Sequence, residues 1–545
     1  MRFKSSIMGP LLMLLSAPSV QAAAAINCES LATLKLHHAA VVSAKSVPAG
    51  PTSMTSFTGA VTLDVPSRCE VRGISRPSSD SEIAFELWLP LSGWNGKYEQ
   101  VGNGGFAGSI NRTALVNPLR RGFAVAATDD GHNAVQTPQG TFALGHPEKL
   151  IDFSYRAVHD TSEQAKVIVA AFYGTAPAPN YFVGCSDGGR EALMEAQRYP
   201  EDFDGILAGA PANDWSHLFT SFAWNALALS KTRIPIVKLA TIQRAVLAAC
   251  DAADGLKDGL VSNPMACHFD PAVLACKNTS EERNECLTAA EIGTLKALYS
   301  GPKDPHSGAQ LFPGLVRAGT EALPISWPLW VVGMGPGQSA QAGFGLSYFR
   351  DVVREQPNWQ LHSMDFDRDV RLSDEKVAPI INATNPDLRS FRAHGGKLLQ
   401  YHGWADAAIA APSSIQYYEA VRSFLDTYPD PRSRSKSVED FYRLFLIPGM
   451  GHCGQGVGPV NFGNDALASG TMPASGDAQH DVFTALTRWV EQGMAPDQLV
   501  GTGPSPLDPT RRLSRPLCPY PQQAIYTGNG DVNEARNFEC RARSD

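Results

Sequence analysis

A surplus of basic residues is missing from this chain of 545 residues: 46 Lys and Arg stand against 54 Asp and Glu, a formal charge of −8. Without that surplus there is nothing to neutralise a phosphate backbone, which excludes nucleic acid as the expected partner. Long apolar runs are missing too, apart from a short one at the very start, so no segment is read as a membrane span. Zinc-ligand spacing is absent: there is no C-x-x-C and no pair of histidines four apart. Internal repeats and low-complexity tracts are absent as well. With 43% hydrophobic and 18% charged residues, the composition is that of a globular protein and excludes a mostly disordered one.

The one apolar run carries its own meaning. Arg2 and Lys4 precede Ile7–Leu15, and Val20-Gln21-Ala22 puts small residues where a signal peptidase cuts. Residues 1–22 are therefore expected to be a cleaved signal, and the mature chain to be secreted, whether extracellular or periplasmic, with no membrane partner. Export makes the ten cysteines readable as disulfides. Spacing alone leaves many pairings open; local pairs are plausible for Cys28 and Cys69, Cys250 and Cys267, Cys276 and Cys286, and Cys518 and Cys540. Cys185 and Cys453 are then left over, far apart in sequence.

Apolar strands alternate with helical periodicity from Ile83 to Ala208: Ile83–Pro90, Lys97–Val101, Phe123–Thr128, a helix over Tyr155–Phe172, Tyr181–Val183, a helix over Arg190–Tyr199, then Asp204–Ala208. That order predicts βαβ units and a mainly parallel sheet. The pattern breaks from about Asn213 to about Pro386, where Trp and Pro cluster and four cysteines fall. It resumes with Gly396–Tyr401, a helix near Ser414–Leu425, Tyr442–Ile447 and a helix near Asp481–Gln492. The expectation is an α/β core in two parts, residues 23–212 and 387–545, interrupted by an inserted lid over residues 213–386. An insertion between two strands should sit over the strand ends, where such sheets bind ligands.

Gly184-Cys185-Ser186-Asp187-Gly188 is a G-x-S-x-G sequence between a predicted strand and a predicted helix, the context of a nucleophile elbow. A serine hydroxyl needs a base, and the hydrolase order is Ser, then acid, then His. Asp406 lies just beyond the strand Gly396–Tyr401, and His452 just beyond Tyr442–Ile447. His402 is a rival base, but it precedes Asp406 and is expected to pack or hydrogen-bond locally. The leftover Cys185 and Cys453 flank Ser186 and His452, so a bond between them would tie nucleophile to base. Oxyanion donors are expected from the backbone N–H of Asp187 and of Gly105, with Gly104 second, in the glycine-rich run Gly102–Gly108. In the insertion, Asp251, Asp254 and Asp258, with the carbonyls of Leu256 and Leu260, can wrap a hard cation, so calcium is weighed against a solvated acidic turn.

Gly-Cys-Ser-Asp-Gly-Gly-Arg at 184–190, Asp204–Pro211, the Asp406 loop and Pro448-Gly-Met-Gly-His-Cys453 together resemble the tannase/feruloyl esterase family of secreted serine esterases. The resemblance covers nearly the whole mature chain. It implies an α/β-hydrolase fold with a large inserted lid, structural calcium at Asp251–Leu260, the four local cysteine pairs, and Trp330 and Phe344 as the aromatic walls of a substrate pocket. It also implies substrates that are feruloyl-type, galloyl or, in a specialised branch, terephthalate esters. That last branch needs a cation for the free carboxylate; Gln338–Gly343 carries none, and Arg350 is the nearest. The expected function is therefore hydrolysis of a small aromatic-acid ester. The alternatives are a tannase, less favourably a terephthalate-monoester hydrolase, and, in another class, a catalytically dead calcium-dependent binding protein.

Overall fold

A computed structural model describes residues 26–56, 59–277, 284–428, 437–464 and 476–542. The expected signal over residues 1–22 lies outside the described residues.

Fifteen strands occur among the described residues. They are β1 Ala39–Val47, β2 Gly50–Ser56, β3 Gly59–Val65, β4 Arg68–Ser75, β5 Ile83–Pro90, β6 Tyr98–Val101, β7 Ala124–Thr128, β8 Asn180–Cys185, β9 Gly205–Gly209, β10 Lys397–Gly403, β11 Tyr442–Ile447, β12 Leu499–Pro504, β13 Arg512–Leu517, β14 Gln522–Tyr526 and β15 Phe538–Ala542. Nine form one sheet in the order β1-β4-β5-β7-β6-β8-β9-β10-β11. From β7 to β11 every neighbour is parallel, whereas β1, β4, β5 and β7 pair antiparallel. The sheet is thus mixed, with an antiparallel wing that the expectation of a mainly parallel sheet did not include.

Side chains alternate across the parallel part, as a sheet covered on both faces requires. Phe182, Ile206 and Leu398 pack with the helices Ala157–Tyr173, Asp187–Arg198 and Pro412–Thr427. Their neighbours Tyr181, Val183, Leu207 and Leu399 face the other way, against the helix Val482–Gln492. Because β9 and β10 are adjacent in the sheet but separated by residues 210–396, the intervening chain leaves and re-enters the sheet at one place. It carries helices of its own, including Trp215–Lys231, Leu239–Cys250, Ala289–Ser300 and Ala340–Ser347. One apolar cluster in it, built on Trp215, Phe219, Phe222 and Tyr348, also takes in Phe106 and Phe153 from the core, so lid and core share a packed seam. The pairs β12–β13 and β14–β15 close the chain.

The ten cysteines form five bonds: 28–69, 185–453, 250–267, 276–286 and 518–540. No helix among the described residues is long and apolar enough to cross a membrane.

Candidate active site

Strand β8 ends at Cys185, and the helix Asp187–Arg198 starts two residues later, three residues before the sequence pattern placed it. Ser186 sits between them at φ +66°, ψ −119°, a conformation that a residue with a Cβ adopts only under constraint. The glycines explain how the chain gets there. A Cβ on Gly184 would lie 2.2 Å from the carbonyl oxygen of Gly188, and one on Gly188 would lie 2.9 Å from that of Asn103. The strand, the helix start and the loop after β6 therefore touch backbone to backbone. Ser186 N–H donates to Gly209 O at 3.0 Å, which fixes the turn against β9.

The loops after β10 and β11 bring the other two expected residues to this turn. His452 Nε2 is 2.9 Å from Ser186 Oγ, and its Nδ1 is 2.8 Å from Asp406 Oδ2. Asp406 Oδ1 accepts N–H bonds from Ala408 at 2.8 Å and Ile409 at 2.9 Å, so the carboxylate is held at both oxygens. Burial by itself would raise the Asp406 carboxyl, but the charge of His452 and hydrogen bonds from His402 and His452 hold it well below the usual carboxylate range. His402, expected to bond locally, does so, yet it also reaches the acid: its Nε2 lies 3.2 Å from Asp406 Oδ2. Cys185 and Cys453 are bonded, with their Cα atoms 5.9 Å apart, so one covalent link joins the residue before the serine to the residue after the histidine.

Both expected oxyanion donors border the same small cavity as Ser186 and His452: Asp187 at the start of its helix and Gly105 in the loop after β6. Gly105 has φ +62°, and a Cβ there would sit 3.4 Å from the Phe344 ring. Gly104 uses its carbonyl to close a turn with Ala107 N–H at 3.0 Å. The loop is braced from below by Glu191, whose Oε2 accepts Asn103 N–H at 3.1 Å, and by Gly188 N–H, which donates to Asn103 O at 2.9 Å. The Asp187 side chain is buried and engaged by Arg190. Burial pushes its carboxyl up to about 7, against the pull of Arg190, whose Nε donates to it at 2.6 Å.

Trp330 and Phe344 both line the cavity, about 60 Å³ in volume. Their rings stack at 6.3 Å between centroids, and Trp330 meets His452 edge-on at 5.1 Å. The sequence reading missed the rest of the wall: Ala212, then Trp215, Leu218, Phe219 and Phe222 from one helix, and Ala408 and Ile409 from the Asp406 loop. The spacing 215, 219, 222 is a helical stripe, but such a stripe reads equally as lid core, and in fact it serves both. Apart from Ser186, Asp187 and His452, the lining side chains are apolar. Arg350 is not among them and is paired with Asp351 at 2.7 Å. A larger cavity of about 500 Å³ lies between the acidic lid loop and the C-terminal strands and includes none of Ser186, Asp406 and His452.

In the acidic loop, Gly255 and Gly259 take φ of +94° and +81°, folding the chain tightly around its carboxylates. Asp251 accepts N–H bonds from Asp258 and Gly259, Asp254 from Leu256, and Asp258 from Leu260. Asp258 also pairs with buried Arg515 at 2.6 Å. Burial raises the Asp251 and Asp258 carboxyls, with repulsion from Asp254 adding to it. The charge fits a divalent cation, since three carboxylates face one arginine. The carboxylate oxygens are not drawn to a common point, however; the groups of three that are, among the described residues, are His159–Glu195–Asp202 and Asp130–Asp187–Glu191.

The family model for tannase and feruloyl esterase matches residues 69–541. An uncharacterized esterase of Xanthomonas campestris is 40% identical over 538 residues, covering 95% of this chain and 92% of that one. A mono(2-hydroxyethyl) terephthalate hydrolase of Piscinibacter sakaiensis is 32% identical, covering 88% and 85%. Among solved structures, feruloyl esterase B from Aspergillus oryzae superposes with a TM-score of 0.82 at 30% identity, over 94% of this chain and 99% of that one.

Proposed function

Starting from the fact that the chain belongs to the tannase and feruloyl esterase family and is a carboxylic ester hydrolase, we propose that it cleaves esters of aromatic acids with Ser186, His452 and Asp406 as a catalytic triad. One observation carries the proposal: His452 bridges Ser186 and Asp406 at 2.9 and 2.8 Å at the carboxyl ends of β8, β10 and β11. Ser186 Oγ attacks the ester carbonyl carbon while His452 Nε2 takes the hydroxyl proton. Asp406 holds the ring in place and stabilises the imidazolium. The negative charge on the carbonyl oxygen is met by the N–H groups of Asp187 and Gly105. As the C–O bond breaks, His452 returns the proton to the leaving alcohol. Water then enters by the same steps and releases the acid.

The aromatic walls support an aromatic acyl group, and each ring pair contributes roughly 0.5–1.5 kcal/mol beyond area burial. The apolar lining and the engagement of Arg350 with Asp351 support neutral acyl groups over one with a second carboxylate, despite the terephthalate hydrolase among the relatives. Methyl ferulate, methyl gallate and a terephthalate monoester form the test panel. We expect kcat/KM for one of the first two to exceed that for the third by at least about tenfold, which asks about 1.4 kcal/mol of differential binding. The Ser186→Ala enzyme should lose about four orders of magnitude in kcat. Activity within tenfold of wild type in that variant removes the triad; the reverse substrate order removes only the pocket reading.

The five disulfides support an exported protein. For the acidic loop we propose structural calcium held by Asp251, Asp254 and Asp258 with the carbonyls of Leu256 and Leu260. When bound, it would neutralise clustered carboxylates in the lid and take no part in the ester chemistry.

A further inference from the structure

We infer that His402 is a positioning residue for the catalytic acid, donating from Nε2 to the same Asp406 oxygen that receives His452; this rests on the triad reading above. The two imidazoles converge on Oδ2, at 3.2 Å for His402 and 2.8 Å for His452. His402 is fully buried on β10, with no opening to the substrate cavity. Its role is therefore exerted through Asp406.

The direction of the hydrogen bonds follows from what surrounds the ring. Nε2 carries a single hydrogen, because both atoms it faces are acceptors: the Ile409 carbonyl takes it at 3.0 Å, and Asp406 Oδ2, 3.2 Å from the same nitrogen, shares it as the longer arm. Nδ1 lies 2.7 Å from Ser414 Oγ. Ser414 Oγ accepts from Gln400 Nε2 at 2.6 Å, which leaves its own hydrogen to give to Nδ1. Gln400 is oriented in turn by the Tyr442 hydroxyl, which donates to its Oε1 at 2.5 Å. A chain of oriented groups thus runs from Tyr442 through Gln400, Ser414 and His402 to Asp406, and its members sit on β10, β11 and the helix Pro412–Thr427. Each link removes a rotamer or tautomer that the next could otherwise adopt.

The consequence for Asp406 is specific. With Oδ1 taking two backbone N–H groups and Oδ2 taking His452 at 2.8 Å and facing His402 at 3.2 Å, the carboxylate plane is fixed and its charge is shared. Without His402, all of the charge at Oδ2 would act on His452, which would hold its proton more strongly. The ionisable groups bonded into this cluster are Asp406, His402, His452 and, beyond Gln400, Tyr442, against which Tyr417 and Tyr418 pack; Asp187 is engaged by Arg190.

The test uses the full-length exported enzyme and the pH dependence of kcat and kcat/KM. His402→Leu should lower kcat about 10- to 100-fold with KM within threefold, and shift the acid limb of kcat/KM upward by about half a pH unit or more. His402→Gln, which keeps a donor near Oδ2, should recover at least about fivefold of that loss. Ser414→Ala leaves the ring but frees it, so a smaller fall with the same direction of shift is expected, and it serves if His402→Leu does not fold. A folded variant whose kcat falls with an unmoved acid limb, or with no recovery by Gln, overturns the inference. The triad reading fails separately, through an active Ser186→Ala enzyme.

Discussion

Glu99 illustrates how a single buried acid sets a pH dependence remote from the reacting atoms. It is buried on β6, and the cation that opposes its burial, Arg121, is committed to Asp481 at 2.8 Å. Burial pushes its carboxyl up to about 8, Arg121 opposes this, and Asp481 adds to it. The folded state therefore keeps a proton that the unfolded chain releases near pH 4.3. Stability from this group is fully present below that value and is lost as pH rises toward 8. Glu321, pushed up to about 7 by burial, acts in the same direction. Replacing Glu99 with Gln keeps the neutral shape and removes the titration, so the fall of Tm between pH 5 and 8 should be shallower in the variant. Melting curves across that range decide it; parallel curves for the two proteins would mean that Glu99 is ionised in the fold. None of this is visible in the sequence, because Lys97-Tyr-Glu-Gln-Val101 reads as an ordinary strand with a solvated acid. That Ser186, Asp406 and His452 come together was readable because each lies just beyond an apolar strand, in the order Ser, acid, His. His402 was not, because its contact with Asp406 depends on how the loop after β10 folds back.

At the scale of elements, β9 and β10 separate β8 from β11 in the sheet, yet the Cys185–Cys453 bond joins the last residue of β8 to the loop that follows β11. It closes a span of 268 residues, worth roughly 5–6 kcal/mol by chain entropy. The double variant Cys185→Ser/Cys453→Ser should lower Tm by roughly 5 °C or more and, if Ser186 and His452 act as proposed, also lower kcat, because the bond links the residues next to them. Removing Cys276 and Cys286, which close a span of 10 residues in the lid, should lower Tm less and leave kcat unchanged. Equal effects on kcat would mean that the first bond acts only on global stability. The strands of the parallel half were legible from their short apolar runs. The helix after Ser186 was placed late because Asp187-Gly188-Gly189 are poor helix formers, and contact with Asn103 and Gly209 overrides that propensity. Strands β1, β14 and β15 escaped notice because their exposed faces dilute the apolar alternation.

Across the whole molecule, the acidic loop of the lid is bonded not to the core sheet but to the C-terminal strands, through Asp258 and Arg515 on β13. Arg515 also lies over the Phe538 ring at 3.9 Å, so the loop, β13 and β15 form one junction. Asp251, Asp254 and Asp258 leave that junction with more negative than positive charge, and a divalent cation bound there would stabilise the lid and the chain terminus together. A ligand that binds only the folded state adds RT ln(1 + [L]/Kd), about 2.7 kcal/mol at one hundred times Kd. We therefore expect chelation of the purified enzyme to lower Tm by several degrees, and added calcium to restore it. Asp254→Asn should weaken that response, because Asp254 contributes charge without sharing the Arg515 ion pair. Measured well below the transition, kcat/KM should be the same with and without chelator, since the proposed triad and oxyanion donors lie outside the loop. Elemental analysis that finds no calcium, together with a Tm indifferent to chelator, would mean that Arg515 and the backbone N–H groups hold the loop by themselves.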